Sequence, residues 1–249
     1  MAERIFAGRT ALVTGGSRGI GRAICRMLAA GGARVAINYQ THEAAAAEAL
    51  ALVEADAEQA IAVQADVSQP DDVARMVATV RERLGPIDLL VNNAGIAARG
   101  PHTGVTFQDW KRMFAINVDG PFLTTWAVKD EMLARRYGRI VNISSIAALQ
   151  LNHGMIPYAA TKAALINFTR NCAHAFAADN VRVNCVAPGL TNTELAQTAN
   201  TTLVGQLIAM TPMGRMAEPE EIAAAVRFLL SDESSFITGQ TIAACGGRT

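Results

Sequence analysis

The sequence predicts an α/β fold, a doubly wound parallel sheet of about seven strands with helices on both faces. Three observations carry that expectation. Short apolar runs alternate with longer Ala-rich segments of helical period from end to end, which marks a parallel sheet covered by helices. A glycine-rich turn joins the first run to the first helical segment, where such sheets open toward ligands. No Pro/Gly/Ser-rich boundary divides the 249 residues, so one domain spanning 1–249 is expected. The predicted strands are 10–14, 34–38, 60–64, 87–91, 139–143, 181–186 and a short one near Thr241; helical segments cover 19–31, 43–57, 70–84, 106–136, 157–178 and 218–230.

The first strand runs into Thr14-Gly15-Gly16-Ser17-Arg18-Gly19-Ile20-Gly21, and the helical segment behind it is apolar. Glycines at 15, 19 and 21 permit a tight turn and close backbone approach to a pyrophosphate, while free N–H groups and the helix dipole favour negative charge. Gly15, Ser17, Arg18, Gly19, Ile20 and Gly21 are therefore candidate phosphate-cradle residues. A ligand-free glycine turn is the plainer reading of the loop alone, but the strand before it and the helix after it supply the context of a dinucleotide site. The second strand ends in Asn38-Tyr39-Gln40-Thr41-His42, where NAD enzymes carry an acid for the ribose 2′-hydroxyl. The first carboxylate is Glu43, placed to open the next helix. Nothing there repels a 2′-phosphate, and Arg18 offers it a forked guanidinium, so NADP(H) is expected with Asn38 and Tyr39 beside the ribose.

The third strand continues into Asp66 and Val67, a carboxylate where an adenine amino group can sit; an aspartate that caps its own loop is the alternative. The fourth ends at Asn92-Asn93-Ala94-Gly95. Within 106–136, Pro121 lies four residues after Asn117 and lacks the N–H that would bond to the Asn117 carbonyl, which should leave that carbonyl free; a kink without function is the alternative. The fifth strand delivers Ser144 and Ser145. Next comes Pro157, suited to a first helical turn, and Tyr158-Ala159-Ala160-Thr161-Lys162. With three tyrosines and three lysines in the chain, such a pair arises by chance about 4% of the time. Residues i and i+4 share a helix face, so phenol and ammonium are neighbours, and an adjacent cation stabilises phenolate, tuning tyrosine for acid/base work. The sixth strand leads through Pro188 and Gly189 to Thr191 and Thr193. Leu190 to Arg215 is polar and Thr-rich, and a long structureless span of this kind is expected to be a lid or a disordered loop.

Together the glycine loop, Asn92-Asn93-Ala94-Gly95, Tyr158-x-x-x-Lys162 and Pro188-Gly189 resemble the short-chain dehydrogenase/reductase family over essentially the whole chain, and within it the NADPH-dependent 3-oxoacyl reductases. The resemblance implies a Rossmann-type fold and a catalytic tetrad of Asn117, Ser145, Tyr158 and Lys162. In it Tyr158 protonates the substrate carbonyl oxygen, Ser145 holds that oxygen, and Lys162 lowers the tyrosine pKa and bonds the nicotinamide ribose. A water on the Asn117 carbonyl relays protons. The resemblance also places Asn93, Ala94 and Gly95 along the adenosine ribose, and Pro188, Gly189, Thr191 and Thr193 at the nicotinamide. It implies a homotetramer built on the segments 106–136 and 157–178, with Met132, Ala163, Ala164, Phe168 and Phe176 at the contact.

For the substrate, Leu149, Leu151, Met155 and Ile156 suggest a pocket for an acyl or aliphatic ketone, with His153 close by. A 3-oxoacyl thioester is the first expectation, and free ketones or secondary alcohols the alternative. Arg135-Arg136 suits an acidic acyl carrier protein, whereas Asp179 opposes one, so the coenzyme A thioester stays open. A non-catalytic nucleotide sensor and a sugar-nucleotide epimerase are the competing classes.

Composition narrows partners. Lys+Arg and Asp+Glu both number 22, so no basic field attracts nucleic acid or an anionic membrane. No apolar stretch is long enough to span a bilayer, and Met1-Ala2-Glu3-Arg4 lacks a signal-peptide core, which predicts a cytoplasmic protein. Cys25, Cys172, Cys185 and Cys245 are widely separated and form no metal-ligand spacing with the four histidines; no metal site is expected, and the thiols should be reduced and packing.

Overall fold

The computed structural model of the chain describes residues 4–194 and 201–249. The predicted strands form β1 (Thr10–Val13), β2 (Arg34–Tyr39), β3 (Ala60–Gln64), β4 (Leu89–Asn92), β5 (Gly138–Ile143), β6 (Val181–Pro188) and β7 (Thr241–Ala244). They make one sheet in the order β3-β2-β1-β4-β5-β6-β7, every neighbouring pair parallel. The helices are α1 (Gly19–Ala30), α2 (Glu43–Glu54), α3 (Pro70–Leu84), α4 (Phe107–Phe114), α5 (Gly120–Ala134), α6 (Ile156–Phe176), α7 (Thr201–Ala209) and α8 (Pro219–Leu230).

Side chains alternate across the sheet and define two cores. Ala11 and Val13 face α1, α2 and α8 through Ile24, Leu28, Val53, Ile222 and Val226. Leu12 between them faces α3, α5 and α6 through Met76, Val80, Met132 and Phe176. With both faces covered, the central strands are buried along their whole length, as parallel sheets require. The chain order reverses between β1 and β4, so the crevice outside their carboxyl ends is the natural place for a ligand.

Two expectations are corrected. The helix predicted over 106–136 is broken into α4 and α5 by a π-helical turn, Ala115–Asp119. Pro121 cannot donate to the ladder, and the Gly120 N–H instead reaches back to the Ala115 carbonyl, which widens one turn around the buried Asn117. The segment 190–215 is not structureless, since Thr201–Ala209 is helical and places Leu203, Val204 and Leu207 on one side of the cleft. Its base is zipped: Ala217 donates to the Leu190 carbonyl at 2.9 Å and accepts from the Asn192 N–H at 2.8 Å. Residues 195–200 of the predicted lid lie outside the described residues. Among those described, no helix is long and apolar enough to cross a membrane, and all four cysteines are free and buried.

Candidate active site

A cleft of about 960 Å³ opens at the carboxyl ends of the strands, and the predicted cofactor residues line it, as do Ser145, Tyr158 and Lys162. At its floor the turns after β1 and β4 touch. Gly15 adopts φ +60°, and a Cβ on it would stand 3.0 Å from Ala94 Cα. A Cβ on Gly21 would stand 2.2 Å from the Gly15 carbonyl oxygen, so the loop closes onto the start of α1 only because that position is glycine. Thr14 ties the two turns together: its hydroxyl accepts from the N–H groups of Asn93 and Ala94, both at 3.0 Å. The Asn93 amide donates to the carbonyls of Thr14 and Gly15 at 2.9 and 3.0 Å. Asn38 is a bracket as well, accepting from the Gly15 N–H at 3.2 Å and donating to the Ala65 carbonyl at 3.0 Å. Asp66 both caps its own loop, through Ser68, and faces the cleft, where the Gln40 amide donates to it at 2.7 Å.

The catalytic candidates converge from three elements. Ser145 follows β5, and its Oγ accepts from the Ala147 N–H at 3.1 Å, which fixes the hydroxyl at the rim. Tyr158 stands in the first turn of α6; burial pushes its phenol above the usual tyrosine range, while a side-chain hydrogen bond with Ser145 pulls it back. Lys162, one turn on, is 4% exposed and donates to the Ile143 carbonyl at 2.8 Å, its ammonium 5.7 Å from the Tyr158 ring centre. Burial brings the lysine pKa down to about 8. In this arrangement the Lys162 ammonium bonds a backbone carbonyl, and Ser145 is the side chain bonded to the phenol. Ser144, the other serine, points away and donates to the Lys162 carbonyl at 2.8 Å.

Asn117 does not line the cleft. Its side chain is fully buried beneath it, accepting from the Ile96 N–H and donating to the Ile96 carbonyl, both at 2.9 Å, and donating to the Thr161 hydroxyl at 3.1 Å. The π turn therefore presents an asparagine that locks the strand-β4 loop to the tyrosine helix. Behind it, Thr124, Asn92, Asn142 and Thr169 form a buried relay from α5 through the sheet to α6. Polar residues inside apolar strands were the available signal for this network, and for Thr14.

At the substrate end, Met155 lines the cleft but Leu149, Leu151 and Ile156 do not; they and His153 point to solvent. Leu149, Leu151 and His153 follow a short 3-10 turn and a loop, and Ile156 opens α6. In their place stand Arg99, Arg112, Gln150 and Asn152, with Leu203, Val204 and Leu207 of α7, whose i, i+1, i+4 spacing puts them on one helical face. Arg135 and Arg136 lie at the opposite, amino-terminal ends of the strands, paired with Asp88 before β4 (2.6 Å) and Asp179 before β6 (3.0 Å), so they do not mark the cleft mouth of this chain. Met132 and Phe176 sit in the chain's own core; the aromatic side chains on that outer face are Phe122 and Trp126, stacked on each other beside Phe168.

Residues 15–249 match the family model described as enoyl-(acyl carrier protein) reductase. The chain is 41% identical over 240 residues to the 3-oxoacyl-[acyl-carrier-protein] reductase of Synechocystis sp., covering 96% of each protein. The chain belongs to the short-chain dehydrogenase/reductase family. The acetoacetyl-CoA reductase of Allochromatium vinosum is 42% identical over 96% of this chain and 98% of its own length. A blue fluorescent protein from a metagenomic library, solved in complex with NADPH, superimposes with TM-score 0.91 at 38% identity, covering 98% of both chains. As a short-chain dehydrogenase/reductase the protein is a nicotinamide-dependent oxidoreductase, and its own residues fit that cofactor: the glycine cradle is closed by close backbone contacts, and no acid stands between Asn38 and His42.

Proposed function

We propose that the protein reduces the ketone of a 3-oxoacyl thioester to a secondary alcohol with NADPH. When bound, NADPH supplies the hydride for the carbonyl carbon. The Ser145 hydroxyl donates to the carbonyl oxygen, and Tyr158 transfers its phenolic proton there as the C=O bond becomes C–OH. Burial keeps the Tyr158 phenol in the protonated form that a proton donor needs, and the Ser145 hydrogen bond offsets part of the rise. Lys162 lies beneath the phenol with a depressed pKa, suited to take part in returning a proton to it. The observation that carries the reading is the Ser145–Tyr158–Lys162 group standing in one cleft with the glycine cradle.

In this assignment Gly15, Ser17, Gly19, Ile20 and Gly21 hold the pyrophosphate, Asn38, Tyr39 and Arg18 flank the phosphorylated ribose, and Asp66 and Val67 meet the adenine. Asn93, Ala94 and Gly95 line the adenosine ribose; Pro188, Gly189, Thr191 and Thr193 receive the nicotinamide. The unit is one catalytic domain with its lid at 190–215, cytoplasmic, working as a homotetramer. Arg99 and Arg112 at the open end favour a thioester on a phosphate-bearing arm over a free ketone, and with Arg135 and Arg136 paired elsewhere, coenzyme A suits this end better than an acidic carrier protein.

The test is oxidation of NADPH and NADH, followed by absorbance of the reduced nicotinamide, with acetoacetyl-CoA, an acyl-carrier thioester and several free ketones. NADPH-selective turnover of the thioesters is expected; turnover of free carbonyls alone would overturn the substrate class. Tyr158→Phe should lower kcat by about 10²-fold or more and leave NADPH binding intact.

A further inference from the structure

Arg18 is the N-cap residue of α1 and stands between two structures. Toward one side its loop is bonded to the end of β2, the Gly16 N–H donating to the Asn38 carbonyl at 2.8 Å, so that Arg18 lines the same cleft as Tyr39, Gln40 and Thr41. Toward the other it meets the lid: Nη1 donates to Glu194 Oε2 at 2.9 Å, across 176 positions of sequence. The contact is reinforced next door, where a Cβ on Gly19 would lie 3.2 Å from Thr193 Cγ2. Only two carboxylates line the cleft among the described residues, and Asp66 is already engaged by Gln40 and Ser68, so Glu194 is the acid that claims this guanidinium.

We propose that Glu194 is a cofactor-selectivity residue, which holds Arg18 against the lid in the cofactor-free chain and yields it to the 2′-phosphate of NADP(H). The proposal rests on the NADP(H) reading above. Side chains 42% and 53% exposed form an ion pair that exchanges readily. A phosphate carries nearly two charges and three acceptor oxygens against the single charge of a carboxylate, so it outbids Glu194 for a forked donor. A dinucleotide lacking that phosphate has nothing to offer Arg18 and leaves the pair closed. The Arg18–Glu194 contact is thereby released by the phosphorylated cofactor and kept by the other.

Direct titration of NADPH and NADH, followed by cofactor fluorescence, tests this with Glu194→Gln, Arg18→Gln and the double variant. Glu194→Gln should tighten NADPH about two- to fivefold, the range an exposed pair commands, and leave NADH unchanged. Arg18→Gln should erase most of the preference for NADPH, and adding Glu194→Gln to it should then change nothing. An unchanged NADPH/NADH ratio in Glu194→Gln overturns the proposal. So does a Glu194→Gln effect that survives in the Arg18→Gln background, since that would be simple repulsion of the phosphate by Glu194. Wild-type protein that binds both dinucleotides equally would instead show that the NADP(H) reading had failed, and the proposal with it.

Discussion

Lys162 shows how one residue joins stability to chemistry. Its folded pKa of about 8 lies below the ordinary 10.5, so the fold disfavours the charged form. Below about pH 8 the lysine is charged in both folded and unfolded chains and the full cost is present; as pH rises from about 8 to 10.5 the unfolded chain holds the extra proton, and the fold gains stability. Lys162→Met should therefore stabilise the protein near pH 7 by on the order of 2 kcal/mol, net of the lost bond to Ile143, and the gain should vanish toward pH 10.5. Thermal melts of both proteins across that range check the sign; a gap independent of pH would refute it. The Tyr158/Lys162 pair was legible because two scarce residue types recur at helical spacing. That the ammonium turns to Ile143 was not, because a backbone carbonyl leaves no mark in sequence.

At the level of elements, the π turn is the feature with most leverage on the site. Sequence reading found the break, from a proline that lacks a donor, but assigned it to a free carbonyl. The structure gives the turn a second task, presenting the Asn117 amide to both polar groups of Ile96. Asn117→Ala removes both bonds from a partly buried place and should cost about 1–3 kcal/mol, read by urea denaturation, with kcat falling further than the stability loss accounts for. Asn117→Asp keeps an acceptor for the Ile96 N–H but sets a carboxylate against the Ile96 carbonyl, and should rescue neither quantity. The strands were readable because each is a short, mostly apolar run between helical segments, whereas α7 was hidden by the Thr- and Asn-rich chain that precedes its apolar face at Leu203, Val204 and Leu207.

Across the whole molecule, both sheet faces are covered by helices, yet the outer side of α4 and α5 carries Phe107, Trp110, Phe122 and Trp126, each at least 36% exposed. Aromatic area of this extent is expected at a subunit contact. If the homotetramer is built there, Trp126→Glu should lower the molar mass measured by light scattering at micromolar concentration and leave circular dichroism unchanged. Residue-type reasoning chose Met132 and Phe176 for that surface because apolar residues on an Ala-rich helix look alike until the packing decides which way each points. The strand order has a consequence for how the chain comes into being. β1, near the centre of the sheet, pairs on one side with β2 and on the other with β4, which ends only at Asn92. On the ribosome, the first three strands can gather with one flank of β1 still open, and that flank stays a bare, apolar, hydrogen-bonding edge until the chain from Ala65 to Asn92 has emerged as well. Non-local parallel pairing of this kind is slow to close. The newborn chain therefore passes through an interval in which its best-buried strand is its most adhesive surface, and a fragment ending at Leu84 should aggregate where the full chain folds.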